Sequence, residues 1–326
     1  MIRSLTLGIL AIAALALVLV ACGDDSTTAP AQPANPNPTI SLHVLVPGGP
    51  IDVAAGSNGM ALVTLNAANT VQAIDLTSGA LTGAPIAVGQ VPTCVIFNAA
   101  GTTAYVSNQY SDNVGVINAS TATQVSTIPV HGDPVPMQVA ADGSALFVTT
   151  NLNRLYRISL ASKTATDSLA LPATSHHLLL TPNGSRLYVA TRDGGSVLEV
   201  NPSNLALLRT FTLGGRTQAM ALSPDLKTLY VANEAKPLLQ SINLASGAIA
   251  DSASLAGGAN GVALSADGTL LYASLIFTGQ LQVVTRSTMT VVTTVLTGGT
   301  PRAVIYDAPR NQVVVANEAG WVDVLR

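Results

Sequence analysis

The chain has 326 residues, of which 48% are hydrophobic and only 10% charged, with 14 Lys and Arg against 17 Asp and Glu. Three lysines and a weak acidic balance exclude the basic stripe that a nucleic-acid surface needs. Two cysteines, Cys22 and Cys94, exclude a disulfide framework and leave enough chain for one large core held by packing alone.

In chain order, the first element is a secretory signal over residues 1–21. Arg3 is the only charge ahead of an apolar run from Leu5 to Val20, which is short for a membrane span and stops at Leu19-Val20-Ala21-Cys22-Gly23 rather than at a cluster of positive charges. That sequence resembles the bacterial lipobox. The resemblance implies cleavage before Cys22, acylation of its thiol and new amino group, and a stable anchor in a bilayer. Gly23 in place of the aspartate that resembles an inner-membrane retention signal implies delivery to the outer membrane. Loss of residues 1–21 removes Arg3 and no acid, so the mature chain carries 13 basic and 17 acidic residues.

Residues 22–39 follow as the lipidated cysteine and a tether, GDDSTTAPAQPANPNPT, with four prolines and no apolar periodicity. Near the polyproline rise of ~3.1 Å per residue it reaches roughly 50 Å from the lipid.

From residue 40 onward the sequence repeats. Leu62, Tyr105, Phe147, Tyr188, Tyr230, Tyr272 and Val314 recur at separations of 43, 42, 41, 42, 42 and 42, the period of a four-stranded propeller blade. One copy shows the pattern: strands at 177–180, 186–190, 196–200 and 207–213, with hairpin turns at Pro182-Asn183-Gly184-Ser185 and Pro202-Ser203-Asn204. Seven copies predict an all-β, seven-bladed propeller over residues 40–326. The last copy has only three strands, near 302–306, 312–316 and 321–325, whereas 40–46 is a β-type run with no place in the count. Pairing of 40–46 with 321–325 is therefore expected to close the ring and leave no open edge.

Tyr105-Val106-Ser107-Asn108, Tyr188-Val189-Ala190-Thr191 and Tyr230-Val231-Ala232-Asn233, each following a polar turn, resemble the YVTN-repeat β-propellers of the YncE-like family over roughly residues 47–326. Leu65, Phe147 and Leu275 depart from the pattern. The resemblance implies a blade type rather than a reaction, because a propeller scaffold carries many functions.

In such a ring the loops before each first strand and after each second strand share one face around the channel. Counting twelve residues back from each anchor gives Pro50, Thr93, Val135, His176, Gln218, Asn260 and Arg302, and the second-to-third-strand loops add Asn108, Asn151, Arg192, Asp193, Glu234 and Glu318. With Arg216 this gives a candidate rim site of His176, Arg192, Arg216, Gln218, Glu234, Asn260, Arg302 and Glu318, in which Arg192 and Glu234 are expected to pair across adjacent blades. The plainer reading of the same charges is a solvated rim of weak ion pairs. His176 and His177 are expected to point to opposite faces of their strand, so that they cannot share a metal. His43 and His131 fall on other blades; no metal site, cofactor or catalytic set is expected. Cys94 reads as packing, and the anchor tyrosines read as packing between blades rather than as base-stacking platforms. No phosphate loop and no Gly-x-Ser-x-Gly elbow occurs.

The function these features favour is a monomeric, non-catalytic envelope lipoprotein whose rim binds a protein, peptide or glycan. Two others remain open. Seven-bladed proteins with similar repeats include lactonase and streptogramin-lyase enzymes, which would use His176, Glu234, Arg192 and Arg302 here. Others cradle redox partners; the lack of Cys-x-x-Cys-His leaves any redox group to the partner.

Overall fold

The structure is a computed structural model that describes residues 31–56 and 59–326. The signal segment and Cys22 lie outside the described residues. Seven four-stranded antiparallel sheets form the ring. Six are built from consecutive strands, spanning 50–87, 92–129, 134–170, 175–212, 217–254 and 259–296, and are numbered here as blades 1 to 6. Blade 7 takes Pro301–Asp307, Gln312–Asn317 and Trp321–Leu325 from one end of the chain and Ile40–Leu45 from the other. The repeat and the closing strand thus stand as the spacing predicts. Among the described residues, no helix is long and apolar enough to cross a membrane.

The core is shared between blades, as expected for sheets that cannot cover their own faces. Val114, Val116 and Ile128 of blade 2 pack with Met137, Leu146, Val148 and Ile158 of blade 3. Val44, Val322 and Val324 of blade 7 pack in the same way with Val53, Val63, Leu65 and Ile74 of blade 1. Tyr105, Tyr188, Tyr230 and Tyr272 are buried, which fits the packing role; burial pushes the Tyr188 hydroxyl up to about 12.

Closure rests on more than backbone pairing. Ile40–Leu45 runs antiparallel to Trp321–Leu325, with His43 opposite Asp323. His43 Nδ1 lies 2.7 Å from Asp323 Oδ1, and the Trp321 indole N–H donates to Asp323 Oδ2 at 3.0 Å. Asp323 is fully buried and its carboxyl is pushed up, chiefly by lost hydration. Arg326 adds a clasp to blade 1 by donating to the carbonyl of Leu76 at 3.1 Å.

The expected free tether is shorter than the composition implies. Ala34 N donates to Asp267 at 2.9 Å, Asn311 Nδ2 donates to the carbonyl of Pro33 at 3.1 Å, and Thr293 Oγ1 donates to Asn37 at 2.5 Å. Residues 33–39 are therefore seated on blades 6 and 7. Few as their apolar atoms are, their backbone groups find partners on a surface already ordered, which removes much of the cost of holding them.

Every first strand carries a register shift just after its first residue, from Pro50/Val53 in blade 1 to Pro301/Val304 in blade 7. These strands line the channel and are edges with no inner neighbour, so a bulge breaks no second ladder, and proline is tolerated at their starts (Pro50, Pro92, Pro134, Pro301).

Candidate functional site

The channel holds a cavity of about 670 Å³ bounded by the first strands. Its wall is mostly apolar, with Val95, Met137, Leu178, Val262 and Val304, and its polar lining includes Asp52, Thr93, His176, His177, Asn260 and Arg302. The bulge decides what reaches it. In a regular strand His176 and His177 would face opposite ways, but the shift between Ser175 and His177 turns both to the cavity, against the expectation from simple alternation. The same holds for Thr93 and Cys94, and for Asn260 and Gly261.

Burial holds both imidazoles neutral. His176 is lowered from 6.5 to about 3, chiefly by desolvation and further by its neighbours Arg192, His177 and Arg302, beside which a second proton is disfavoured; His177 is lowered to about 4 by desolvation.

The counted rim positions need one adjustment. The first hairpin of blade 1 leaves four residues between strands (56–59) where blade 2 leaves five (98–102), so Ile51 stands where Thr93 stands and Pro50 does not reach the cavity. That shift brings Asp52 into register with Cys94 and His177, a residue that counting from the anchors misses. Asp52 accepts from Val53 N and Val95 N, both at 2.9 Å, so its carboxyl ties blade 1 to blade 2 beside the Cys94 thiol. Burial raises it to about 6, and the Cys94 thiol is raised well above its ordinary value by the same burial and by Asp52. Cys94 therefore packs, as a protonated thiol bordering the channel, against the core shared by blades 2 and 3, as the packing reading expects.

On the rim, Arg216 is the hub of blades 4 and 5. Its guanidinium donates to Glu234 at 3.0 Å and to Asp193 at 3.1 Å, and Gln218 Nε2 donates to the other Glu234 oxygen. Glu234 is only 7% exposed and raises the Arg216 pKa by that hydrogen bond and its charge. Arg216, not Arg192, is thus the partner of Glu234; it sits two residues before Gln218 in the approach to the first strand, directly beside the Glu234 loop. Arg302 donates to Glu318 at 2.7 Å on blade 7. His176, Asn260, Arg302 and Glu318 line the cavity, whereas Gln218 is buried behind it. Arg192 has no side-chain hydrogen bond or ion pair among the described residues, and its Nε is buried. Asn108, grouped with the rim by position, is fully buried and donates to Asn113 at 2.8 Å. The same place in blade 5 explains the motif's asparagine: Asn233 accepts from Arg216 N at 3.0 Å and donates to the carbonyl of Gly214 at 2.8 Å, clamping the loop that leads into the first strand. Among the described residues, no three His, Cys, Asp or Glu side chains come together to hold a metal ion.

This face also carries apolar tips. Leu45, Tyr110, Leu152, Phe277 and Leu296, each 63 to 73% exposed, are the five most exposed large apolar side chains described. Tyr110, Leu152 and Phe277 occupy one repeated position, five residues after the anchor, in the second-to-third-strand loops of blades 2, 3 and 6. Leu45 and Leu296 end the fourth strands of blades 7 and 6, whose loops open on the same face.

No protein-family model and no curated protein matches the chain. Among solved structures it is similar to a hydrazine synthase chain from Kuenenia stuttgartiensis, with a TM-score of 0.77 and 18% identity, covering 88% of this chain and 98% of that one. At that identity the likeness is one of fold, a seven-bladed propeller.

Proposed function

We propose that this chain is a lipoprotein of the bacterial cell envelope, anchored through Cys22 in the outer membrane, of the YVTN-repeat type, and that its channel-mouth face holds a protein, peptide or glycan without chemistry of its own. One observation carries the proposal: the five most exposed large apolar side chains gather on the face that also holds the Arg216–Glu234 and Arg302–Glu318 pairs. Apolar anchors interleaved with paired charges are the anatomy of a docking surface. The lactonase or lyase reading has less support, since Glu234 is buried outside the cavity lining and each of its oxygens already accepts a hydrogen bond, one from Arg216 and one from Gln218. Service as a partner subunit in a redox assembly is compatible with the docking surface and is a special case of it.

The test is cross-linking of the lipidated protein in its own membrane, followed by binding measurements with the captured partner. Leu152→Asp combined with Phe277→Asp should weaken that partner by at least about tenfold while leaving the melting temperature unchanged. Unchanged affinity would refute the apolar face as the docking site. Turnover of a lactone that disappears with His176→Ala alone would replace the scaffold reading by the enzymatic one.

A further inference from the structure

The docking face leaves the interior of the channel unexplained. Two polar atoms there, His176 Nδ1 and His177 Nδ1, are buried without a partner, and at the rim, near enough for its charge to act on His176, Arg192 has a buried Nε that is likewise unmet. An unmet buried donor or acceptor costs stability, and such groups persist where something else satisfies them. The rim shows what kind of partner an arginine takes here. Arg216 has Glu234 and Asp193, and Arg302 has Glu318, but Arg192 has no carboxylate although Asp193 is its neighbour in sequence, because Asp193 is committed to Arg216. What is missing beside Arg192 and the two imidazoles is an acceptor of negative charge.

We infer that the upper channel is a binding site for a small organic carboxylate, with Arg192 meeting the carboxylate, His176 and His177 donating to it, and the apolar wall covering the ligand's body. A guanidinium offers the planar fork that fits a carboxylate in bidentate fashion. Neutral imidazoles each supply a donor without adding charge, Arg302 is paired with Glu318, and the Asp52 carboxyl of blade 1 lines the same cavity, so one unpaired guanidinium matches a monoanion better than a phosphate dianion. Val135, Met137, Leu178, Val262 and Val304 give the ligand's other end an apolar lining, and a cavity of about 670 Å³ falls within the range of small-molecule sites. This site is separate from the docking face: its ligand sits inside the ring, and the apolar tips take no part in holding it.

The experiment is calorimetric titration of the full-length protein with hexanoate and benzoate, beside hexanamide and inorganic phosphate. Saturable binding of the carboxylates and none of the amide is the expected result. Arg192→Gln should weaken it by about 10- to 100-fold, the scale of one charge-assisted contact, without lowering the melting temperature, since the side chain makes no hydrogen bond or ion pair within the described residues that its loss would break. Arg192→Lys keeps the charge and loses the fork, and should fall between the two. His176→Asn gives a second handle on the same anion and should also weaken binding. The proposal is overturned if hexanamide binds as well as hexanoate, if phosphate binds more tightly than either carboxylate, if none of the carboxylates gives saturable heat at millimolar concentrations, or if Arg192→Gln leaves the affinity unchanged.

Discussion

Acid should loosen this ring from its channel outward, and the two histidines set the size of the effect. In the folded protein His176 and His177 take up protons only near 3 and 4, against 6.5 for a free imidazole. A base whose folded pKa is depressed favours folding above its unfolded pKa, and that contribution is lost as pH falls from about 6.5. At about 1.4 kcal/mol per pH unit for each ring, a drop from about pH 7 to about pH 5 removes roughly 4 kcal/mol for the pair; channel water reaches both rings, and halving for that leaves about 2 kcal/mol. Asp52 acts in the opposite sense. Its carboxyl is raised to about 6, so its contribution is complete below 3.8 and is lost as pH rises through about 6, which returns somewhat under 1 kcal/mol over the same interval. Arg192, Arg302 and Glu318 are the other charged groups near the rings. Urea unfolding of the native protein and of a His176→Gln, His177→Gln double variant, each at the two pH values, isolates the imidazoles. The native protein should lose about 2 kcal/mol more than the variant between them. A difference below roughly 0.5 kcal/mol would mean that the rings are not held neutral by burial, and the account of the channel would fail.

Other perturbations follow from particular contacts. His43→Ala leaves the buried Asp323 carboxyl with only the Trp321 indole and should cost about 1–3 kcal/mol in thermal unfolding; a loss near zero would show that closure rests on backbone pairing alone. Gly258→Ala would drive a methyl group into the backbone oxygen of Glu234, so about 1–3 kcal/mol should be lost, and the same melting temperature as native would contradict the contact. Glu199, buried between Arg186 at 2.9 Å and Arg209 at 2.6 Å, should cost about 1–2 kcal/mol when replaced by alanine, because the two arginines left behind are half-exposed, and a cost under about 0.5 kcal/mol would mark the triad as a surface feature.

The blades were legible because their signals are local and repeated. A tyrosine or its substitute every 41 to 43 residues, Asn-Gly and Asp-Gly turns, and a last copy one strand short all survive without knowledge of neighbours. The candidate site was legible only by position. His176, Asn260 and Arg302 do line the channel, but the bulge that brings His177 and Cys94 beside them leaves no mark in the residue types, since it follows from the strand's being an inner edge. Asp52 was hidden twice over, by a hairpin one residue shorter than its counterpart, which makes the count return Pro50 in place of Ile51, and by the bulge that adds the next residue to the lining. The pairing of Glu234 depended on which of two arginines lay within reach, a matter of side-chain geometry. The seating of residues 33–39 went unread because it owes almost nothing to their own composition and nearly everything to acceptors and donors on blades 6 and 7.

Ring closure also has a history in time. His43 and Asp323 are 280 positions apart, so the strand that completes blade 7 is synthesised first and must wait for a partner made last. Until then Ile40–Leu45 is an unpaired edge, and six finished blades have nothing to hold them in a circle. Any chain interrupted before Trp321–Leu325 stays open, with two exposed sheet edges able to pair with a neighbour. The last joint to form therefore reports that synthesis has reached the seventh blade, and the interval before it is when this protein is most exposed to aggregation and proteolysis.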